Sequence, residues 1–166
     1  MVKRLGILNS DNKDLIFAIE KYFVAKEVDV KVVSVDYDMS EFDVVALTGY
    51  ENFTTIKHDN ILNLYPTLLP AFKDEENPIL ASYLAGVKVS GISVYNVLND
   101  KILAQYPVLI GLDTNFEDFL DELSNIAQKV YPVVIDAVLQ DKVFDFNDLF
   151  NSSSCGGSCG GCGGCH

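Results

Sequence analysis

Short apolar runs, each closed by polar or turn-forming residues, recur through the first part of the chain and constrain its fold more than any other feature. The runs lie at residues 3–9, 28–35, 43–48 and 60–64. Each has the length of a strand, and the run at 28–35 alternates Val with polar residues, as strands do. Between the first two runs, residues 13–25 have the apolar spacing of a helix, with Asp11 or Asn12 as its cap. This strand–helix–strand order predicts an α/β domain with a doubly wound, mostly parallel sheet and helices on both faces.

Further along, the pattern becomes β-rich over two adjacent segments. Residues 87–98 and 101–110 are both rich in Val, Ile and Leu, and Asn99 and Asp100 lie between them. Two turn-forming residues between two such runs are typical of a tight hairpin. The sheet is therefore predicted to end in a C-terminal β-hairpin.

Helices are predicted on either side of this hairpin. Residues 78–85 begin with Pro and are followed by Gly, as helices often are. A long helix is predicted to start at Asp113 or Thr114 and to reach about residue 130. Pro132 is expected to interrupt it, because proline removes a backbone donor, and a second helical piece is expected at 133–139.

The cysteines divide the chain into two parts. All four lie at residues 155–165, together with six of the 11 glycines, and the first 154 residues contain no cysteine. The chain of 166 residues is long enough for one ordinary domain. We therefore expect one folded domain over residues 1–150 and a flexible Gly/Cys-rich tail over residues 151–166. The polar residues 147–154 are expected to lead into the tail.

The charge balance excludes some classes of partner. The chain has 24 Asp and Glu against 12 Lys and Arg, which gives a net charge of −12. Such a surface repels phosphate backbones and anionic lipid, so neither nucleic acid nor a membrane is an expected partner. No apolar run approaches the roughly 18 residues of a membrane span, and the first run is too short for a signal peptide. The expected location is the cytoplasm.

One stretch carries a recognisable motif. Residues 63–70 read NLYPTLLP and follow a predicted strand, at the end of the sheet where α/β proteins bind ligands. They resemble the NxHPSLLP motif of the formyltransferase family, which includes phosphoribosylglycinamide formyltransferase and the catalytic domain of methionyl-tRNA formyltransferase. Other segments keep the family's order: DVVALTGY at 43–50, AGVKVSGISV at 85–94, AQ at 104–105 followed by Val108, and YP at 131–132. The resemblance covers residues 43–140 well and residues 1–42 loosely, and it implies the formyltransferase fold.

The resemblance also implies catalytic positions. Formyl transfer from a folate to an amine needs a group that moves a proton and donors that stabilise an oxyanion. Asn63 matches the family's Asn, although an Asn after a strand can also bond its own backbone in a turn. Tyr65 stands where the family has His, and a phenol with an ordinary pKa of about 10 is a poor base at neutral pH. Asp100 is the nearest match to the family's Asp, or is simply a turn residue, and His58 is expected to be an exposed loop residue rather than a catalytic one.

The resemblance also implies cofactor-binding positions, namely Gly49, Tyr50 and Tyr95. Tyr95 stands where the family has a second His. Together with Tyr65, the two other tyrosines either line the family's pocket or pack against the sheet edge. The segment between residues 93 and 105 is shorter than in the family and lacks the Gly-Pro of its folate-binding loop, which predicts the loss of part of the folate site.

The family's Gly-rich phosphate-binding loop has a changed counterpart here. Residues 9–14 contain no glycine. Ser10 and Asn12 can still donate to a substrate, but Asp11 and Asp14 oppose an anion. A helix cap is the alternative interpretation of the same residues.

The tail has the spacing C-x3-C-x2-C-x2-C-H. Its possible metal ligands are Cys155, Cys159, Cys162, Cys165 and His166. Thiolates at this spacing, separated only by Gly and Ser, suit Zn²⁺, Cu(I) or an Fe–S cluster. Disulfides, or a reduced tail without a ligand, are the alternatives. The C-x3-C-x2-C spacing also occurs in radical enzymes that cleave S-adenosylmethionine, but it lies there in a large barrel.

Two functions from different classes follow. In the first, the chain is a formyltransferase-like protein that has lost transfer activity, binds a small molecule, and binds a soft metal ion or a protein partner through its tail. In the second, it is an active one-carbon transferase that uses 10-formyltetrahydrofolate, similar to phosphoribosylglycinamide formyltransferase and therefore placed in purine biosynthesis. The changed His positions, folate loop and phosphate loop favour the first.

Overall fold

A computed structural model describes residues 1–49 and 55–151 of the chain. Within these ranges six strands form one sheet: β1 Lys3–Leu8, β2 Val28–Val33, β3 Val44–Ala46, β4 Ile61–Tyr65, β5 Val89–Asn96 and β6 Lys101–Leu109. The α-helices of the same ranges are α1 Lys13–Phe23, α2 Pro78–Leu84, α3 Phe116–Leu139 and α4 Phe146–Asn151. None of the described helices combines the length and the apolar character that a membrane crossing needs.

The strand order confirms the predicted fold class. The sheet runs β2-β1-β3-β4-β5-β6. Strands β1 to β4 pair in parallel, whereas β4 pairs with β5, and β5 with β6, in antiparallel fashion. The protein is thus an α/β domain whose mostly parallel sheet ends in the β5–β6 hairpin, with α3 after it.

Alternating apolar side chains give the sheet two buried faces. On one face, side chains such as Leu5, Val44 and Leu62 form the large core with the apolar sides of α1 and α3. On the other face, Leu8, Val45 and neighbouring side chains form a smaller core. The described part of this second face is covered by a short 3₁₀ helix, Met39–Glu41, so the expected helical layer is present there only in reduced form.

The expectation that Pro132 interrupts the long helix is wrong. Helix α3 is continuous over Phe116–Leu139 and begins after the cap Asn115, not at Asp113 or Thr114. Pro132 and the residues around it are buried in the core. Their packing outweighs the roughly 3 kcal/mol that an interior proline costs a helix.

Tyr131 joins α3 to the sheet. Its side chain is fully buried, and its hydroxyl lies 2.8 Å from the carbonyl oxygen of Leu47 and 2.9 Å from that of Leu62. Burial raises the pKa of Tyr131 well above its ordinary value, so the hydroxyl stays a donor. This contact fixes α3 against the ends of β3 and β4.

Two local expectations differ from the structure. Residues 97–100 connect β5 to β6, a longer connection than the predicted turn of Asn99 and Asp100 alone. The Asn99 side chain accepts a bond from the Lys101 N–H, and Asp100 has a positive φ of 56°.

The segment before the tail also differs from the expectation of a polar connection over residues 147–154. Its first part belongs to helix α4, and Leu149 of this helix packs against the large core. The division at residue 150 stays a prediction, since residues 152–166 lie outside the described part.

Candidate functional site

A cavity of about 610 Å³ opens at the hairpin end of the sheet, on the face away from α1 and α3. Its lining comes from β4, β5, the hairpin loop and the segment after β4: Tyr65, Leu69, Pro70, Lys73, Asp74, Tyr95, Val97, Asp100 and Ile102. This volume lies in the range of small-molecule sites in proteins. We refer to it below as the tyrosine pocket, after Tyr65 and Tyr95.

Hydrogen bonds from β5 and β6 hold the segment that forms one wall of this pocket. The Ser93 hydroxyl donates to the Thr67 carbonyl at 2.8 Å and accepts the Leu69 N–H at 2.9 Å. The Gln105 amide donates to the Leu69 carbonyl at 2.9 Å. Ser93 and Gln105 thus position the wall, a role that sequence reasoning missed although both lie in segments that resemble the family.

The Tyr65 hydroxyl is engaged by the backbone of the segment after β4. It lies 3.0 Å from the Phe72 carbonyl oxygen and 2.9 Å from the Lys73 carbonyl oxygen. Burial raises the pKa of Tyr65, with smaller contributions in the same direction from Tyr95, Asp74 and Glu75. The phenol is therefore protonated at neutral pH, and its single proton is directed at these two carbonyls.

Asn63 is buried beneath the pocket and is bonded on both sides of its amide. Its Oδ1 accepts the N–H of Leu64 at 2.8 Å, and its Nδ2 lies 3.4 Å from the Tyr95 hydroxyl. The backbone bond is the one expected from the structural interpretation of this residue, whereas the contact with Tyr95 places Asn63 next to the pocket. Burial raises the pKa of Tyr95, and the nearby Asp100 adds to the rise while Asn63 opposes it.

Charged residues lie at the mouth of the pocket. The carboxylate of Asp100 lies 3.9 Å from the ammonium of Lys73, and both side chains are largely exposed. Asp74 also lines the cavity. Asp100 is thus both a turn residue and a pocket residue, and it lines the same cavity as Tyr65 and Tyr95.

The candidate phosphate loop lies apart from the tyrosine pocket. The Ser10 hydroxyl lies 2.7 Å from that of Thr48 and also accepts the N–H of Asn12. The Asn12 side chain accepts the Leu15 N–H, as the predicted helix cap does. Gly49 lies beside this loop, because a Cβ built on it would be 3.9 Å from the Ser10 Cβ. The Ser10 hydroxyl and the Asn12 side-chain oxygen are therefore already bonded within the protein.

Other predicted site residues fall into two groups. His58 is half-buried, with its Nε2 lying 2.8 Å from the Phe42 carbonyl and its Nδ1 accepting the Asn60 N–H, so it fixes the entry to β4. Tyr50 and the ligands proposed in the tail, Cys155, Cys159, Cys162, Cys165 and His166, lie outside the described residues. Across residues 1–49 and 55–151, no three His, Cys, Asp or Glu side chains cluster as a metal site would require.

Comparison with known proteins supports the family and the fold that the sequence resemblance implies. The family model described as formyl transferase matches residues 9–135, which is more than half of the chain. No curated protein sequence matches the chain at a significant level.

Solved structures of similar fold include enzymes of two named activities. A phosphoribosylglycinamide formyltransferase from Anaplasma phagocytophilum aligns with a TM-score of 0.68 and 22% identity, over 83% of this chain and 87% of that one. The same enzyme from Bacillus halodurans aligns with a TM-score of 0.63 and 21% identity, over 84% and 94%. A formyltetrahydrofolate deformylase from Pseudomonas syringae pv. tomato aligns with a TM-score of 0.69 and 16% identity, over 89% and 65%. At these identities the likeness shows the fold alone.

Proposed function

Because the chain belongs to the formyl transferase family, we propose that it keeps the family's fold around a small-molecule site but does not transfer formyl groups. The site is the tyrosine pocket. Its ligand is a compact molecule without phosphate groups, held between the rings of Tyr65 and Tyr95. The alternative, an active one-carbon transferase, is the outcome that the first experiment below would reveal.

The state of Tyr65 is the observation that carries this proposal. Where the family has His, this chain has a phenol whose raised pKa keeps it protonated. Its proton is directed at the carbonyls of Phe72 and Lys73. A group in this state neither accepts a proton from an attacking amine nor forms a cation beside an oxyanion. Loss of a general acid or base typically costs 10²- to 10⁴-fold in rate.

The charges around the pocket and the loop support a ligand that is not a phosphate ester. Among the described residues that line the pocket, two are carboxylates, Asp74 and Asp100, and one is an ammonium, Lys73. In the separate loop of residues 9–14, Ser10 and Asn12 are bonded within the protein. The walls supplied by Leu69, Pro70, Val97 and Ile102 are apolar. A neutral aromatic or heterocyclic molecule suits such walls, because tyrosine rings stack on flat rings and their hydroxyls accept hydrogen bonds.

A formyl-transfer assay tests the loss of activity. With 10-formyltetrahydrofolate and glycinamide ribonucleotide, we expect the wild-type protein to show no turnover above background. Tyr65→Phe is the matched control, and we expect it to behave identically because the hydroxyl does no chemistry. Turnover by the wild type within about tenfold of ordinary family enzymes, lost in Tyr65→Phe, would establish the active transferase instead.

Thermal stabilisation tests the ligand class, since a ligand that binds only the folded state raises the melting temperature by mass action. Neutral heterocycles are expected to stabilise the wild type and to lose their effect in Tyr95→Ala. Ser10→Ala serves as the control outside the pocket and should leave the effect intact. Stabilisation by nucleotide phosphates or folates at millimolar concentration, abolished in Asn63→Ala, would show that the family's substrate site is still in use.

For the tail we propose a separate role as a soft-metal site. Its cysteines and terminal histidine are spaced by Gly and Ser, and thiolates bind Zn²⁺, Cu(I) and Fe–S clusters. The test is a competitive titration with Zn²⁺ and Cu(I) under reducing conditions, together with iron and sulfide analysis of protein purified without oxygen. A variant with all four cysteines changed to serine should lose tight binding. If the wild type binds no metal more tightly than micromolar and holds no cluster, the thiols serve a redox or partner-binding role instead.

A further inference from the structure

A second and larger concavity lies on the opposite side of the sheet, among the helices. It is a groove of about 720 Å³ between α1 and α3, bordered by Tyr106 of β6 and by α4. Val130 and Val133 form a buried apolar floor, and Phe17 and Phe150 stand at the rim with 64% and 70% of their surface exposed. The tyrosine pocket shares no lining residue with this groove. We refer to it as the helical groove.

The charge of the helical groove differs from that of the rest of the molecule. Lys21 and Lys129 both line it, and none of the described residues that line it is Asp or Glu. The chain as a whole carries twice as many acidic as basic residues, so an acid-free concavity with two lysines is unusual here. Within the described part of the chain, neither lysine forms an ion pair or a side-chain hydrogen bond, whereas Lys26, which follows α1, pairs with Asp136. Both ammonium groups are therefore available to a ligand.

We propose that the helical groove binds an anionic amphiphile, namely a long-chain carboxylate. An acyl chain in the groove would contact Val130, Val133 and Ile126 and the exposed ring of Phe17. These contacts remove apolar surface from water, which favours binding. The carboxylate meets Lys21 or Lys129 at the edge. The groove's volume lies within the range of small-molecule sites, which favours a single small ligand over a protein partner.

The two lysines predict that the groove prefers a carboxylate over a neutral amphiphile, a selectivity that a purely apolar surface lacks. A neutral amphiphile of the same chain length gains the apolar contacts but not the ammonium–carboxylate attraction. An exposed ion pair contributes about 0.2–1 kcal/mol, so pairing with one of the two lysines corresponds to a preference of up to about fivefold for the carboxylate. Because the pairs are exposed, salt should weaken this preference.

The experiment uses the full-length protein and a fluorescent probe, dansyl-undecanoic acid, below its micelle concentration. Laurate is expected to displace the probe at lower concentration than dodecanol does. Lys21→Gln with Lys129→Gln should weaken carboxylate binding severalfold and leave dodecanol binding unchanged. Phe17→Ser should weaken both ligands, and because this ring is mostly exposed the variant should fold normally.

The matched control is Lys88→Gln with Lys101→Gln, which removes the same charge from two exposed lysines that do not line the groove. It should bind laurate as the wild type does. Equal displacement by laurate and dodecanol, an equal loss in the control pair, or no probe binding at all would overturn the proposal. Probe binding that is lost in Tyr95→Ala but kept in Phe17→Ser would place the carboxylate in the tyrosine pocket and would also overturn it.

Discussion

Among the glycines in the described part of the chain, Gly91 leaves the least room for a side chain. Its φ is +155°, and a Cβ built there would lie 2.1 Å from the Tyr106 carbonyl oxygen and 2.8 Å from Cδ2 of Leu68. The first contact is with the neighbouring strand of the hairpin, and the second is with the segment that walls the tyrosine pocket. Glycine at this position therefore lets β6 and that wall approach β5.

We predict that Gly91→Ala destabilises the protein by more than about 3 kcal/mol, because both the strained φ and the backbone clash must be relieved. Urea unfolding measures this change. Gly86→Ala is the matched control: its φ is also positive, at +70°, but nothing lies within 4 Å of the added methyl group. It should cost only about 1 kcal/mol. Equal losses in the two variants would show that φ alone, and not the close approach, requires glycine at Gly91.

That Tyr65 and Tyr95 lie near each other could be expected from the sequence, but the other lining residues and the hydrogen bonds could not. Tyr65 follows a short apolar strand and Tyr95 lies in a β-rich run, so strand order and the family motif bring the two together. The partners of the Tyr65 hydroxyl are backbone carbonyls of Phe72 and Lys73. Which carbonyl a loop turns toward a phenol depends on the path of the whole segment, and residue types alone do not determine that path.

At the scale of elements, a cluster of polar side chains links the C-terminal end of α1 to that of α3. The Asp136 carboxylate accepts a bond from the Tyr22 hydroxyl at 3.0 Å and from the Lys26 ammonium at 2.6 Å. Gln140 donates to the other carboxylate oxygen at 2.8 Å. The Lys26 ammonium also lies 4.5 Å from the centre of the Tyr22 ring. Every member of the cluster thus has a partner, as partly buried charges require.

This cluster predicts a loss of stability at high pH. Burial alone would lower the pKa of Lys26, but its hydrogen bonds to Asp136 and Tyr22 outweigh burial and raise it. Burial raises the pKa of Tyr22. A group with a raised folded pKa contributes stability that is fully present below its unfolded pKa, about 10 for both groups. That stability is lost as pH rises above about 10 through the folded pKa.

The measurement is urea unfolding of wild type and Lys26→Met between about pH 8 and 11. The wild type should be more stable by about 1 kcal/mol or less at pH 8, since the pair is partly exposed, and the difference should shrink above about pH 10. Lys88→Met removes an exposed lysine that forms no ion pair with the described residues. Its difference in unfolding free energy from the wild type should not change with pH over this range. If the difference in unfolding free energy between wild type and Lys26→Met stays constant over this pH range, the raised pKa of Lys26 does not contribute to stability.

Helix α3 shows where element-level prediction succeeds and fails. Its apolar spacing correctly predicts a long helix after the hairpin, because one face must meet the core. The predicted break at Pro132 is wrong, because the rule about proline considers the helix alone. In the structure the flanking residues Val130, Tyr131 and Val133 are all buried. Tertiary packing of this kind cannot be read from a local pattern.

At the scale of the whole molecule, the described residues form two hydrophobic clusters. Both hydrophobic clusters draw their buried members from residues 5–139, and α4 adds Leu149 to the larger one. The fifteen residues that follow Asn151 contain Gly, Ser, Cys and one His. Ordering a residue costs about 1–2 kcal/mol, and side chains of these types bury little apolar surface to offset it.

We therefore predict that a chain ending at Asn151 keeps its melting temperature to within a few degrees of the full-length protein. Calorimetry without added metal makes the comparison. The control is a chain ending at Val143, which also lacks α4 and so loses the packing of Leu149 on the core and of Phe146 against Tyr106. It should melt at a lower temperature, since burying a large apolar side chain is worth about 1.5–3 kcal/mol. A large drop in the longer truncated chain would instead mean that the cysteine tail packs on the folded domain.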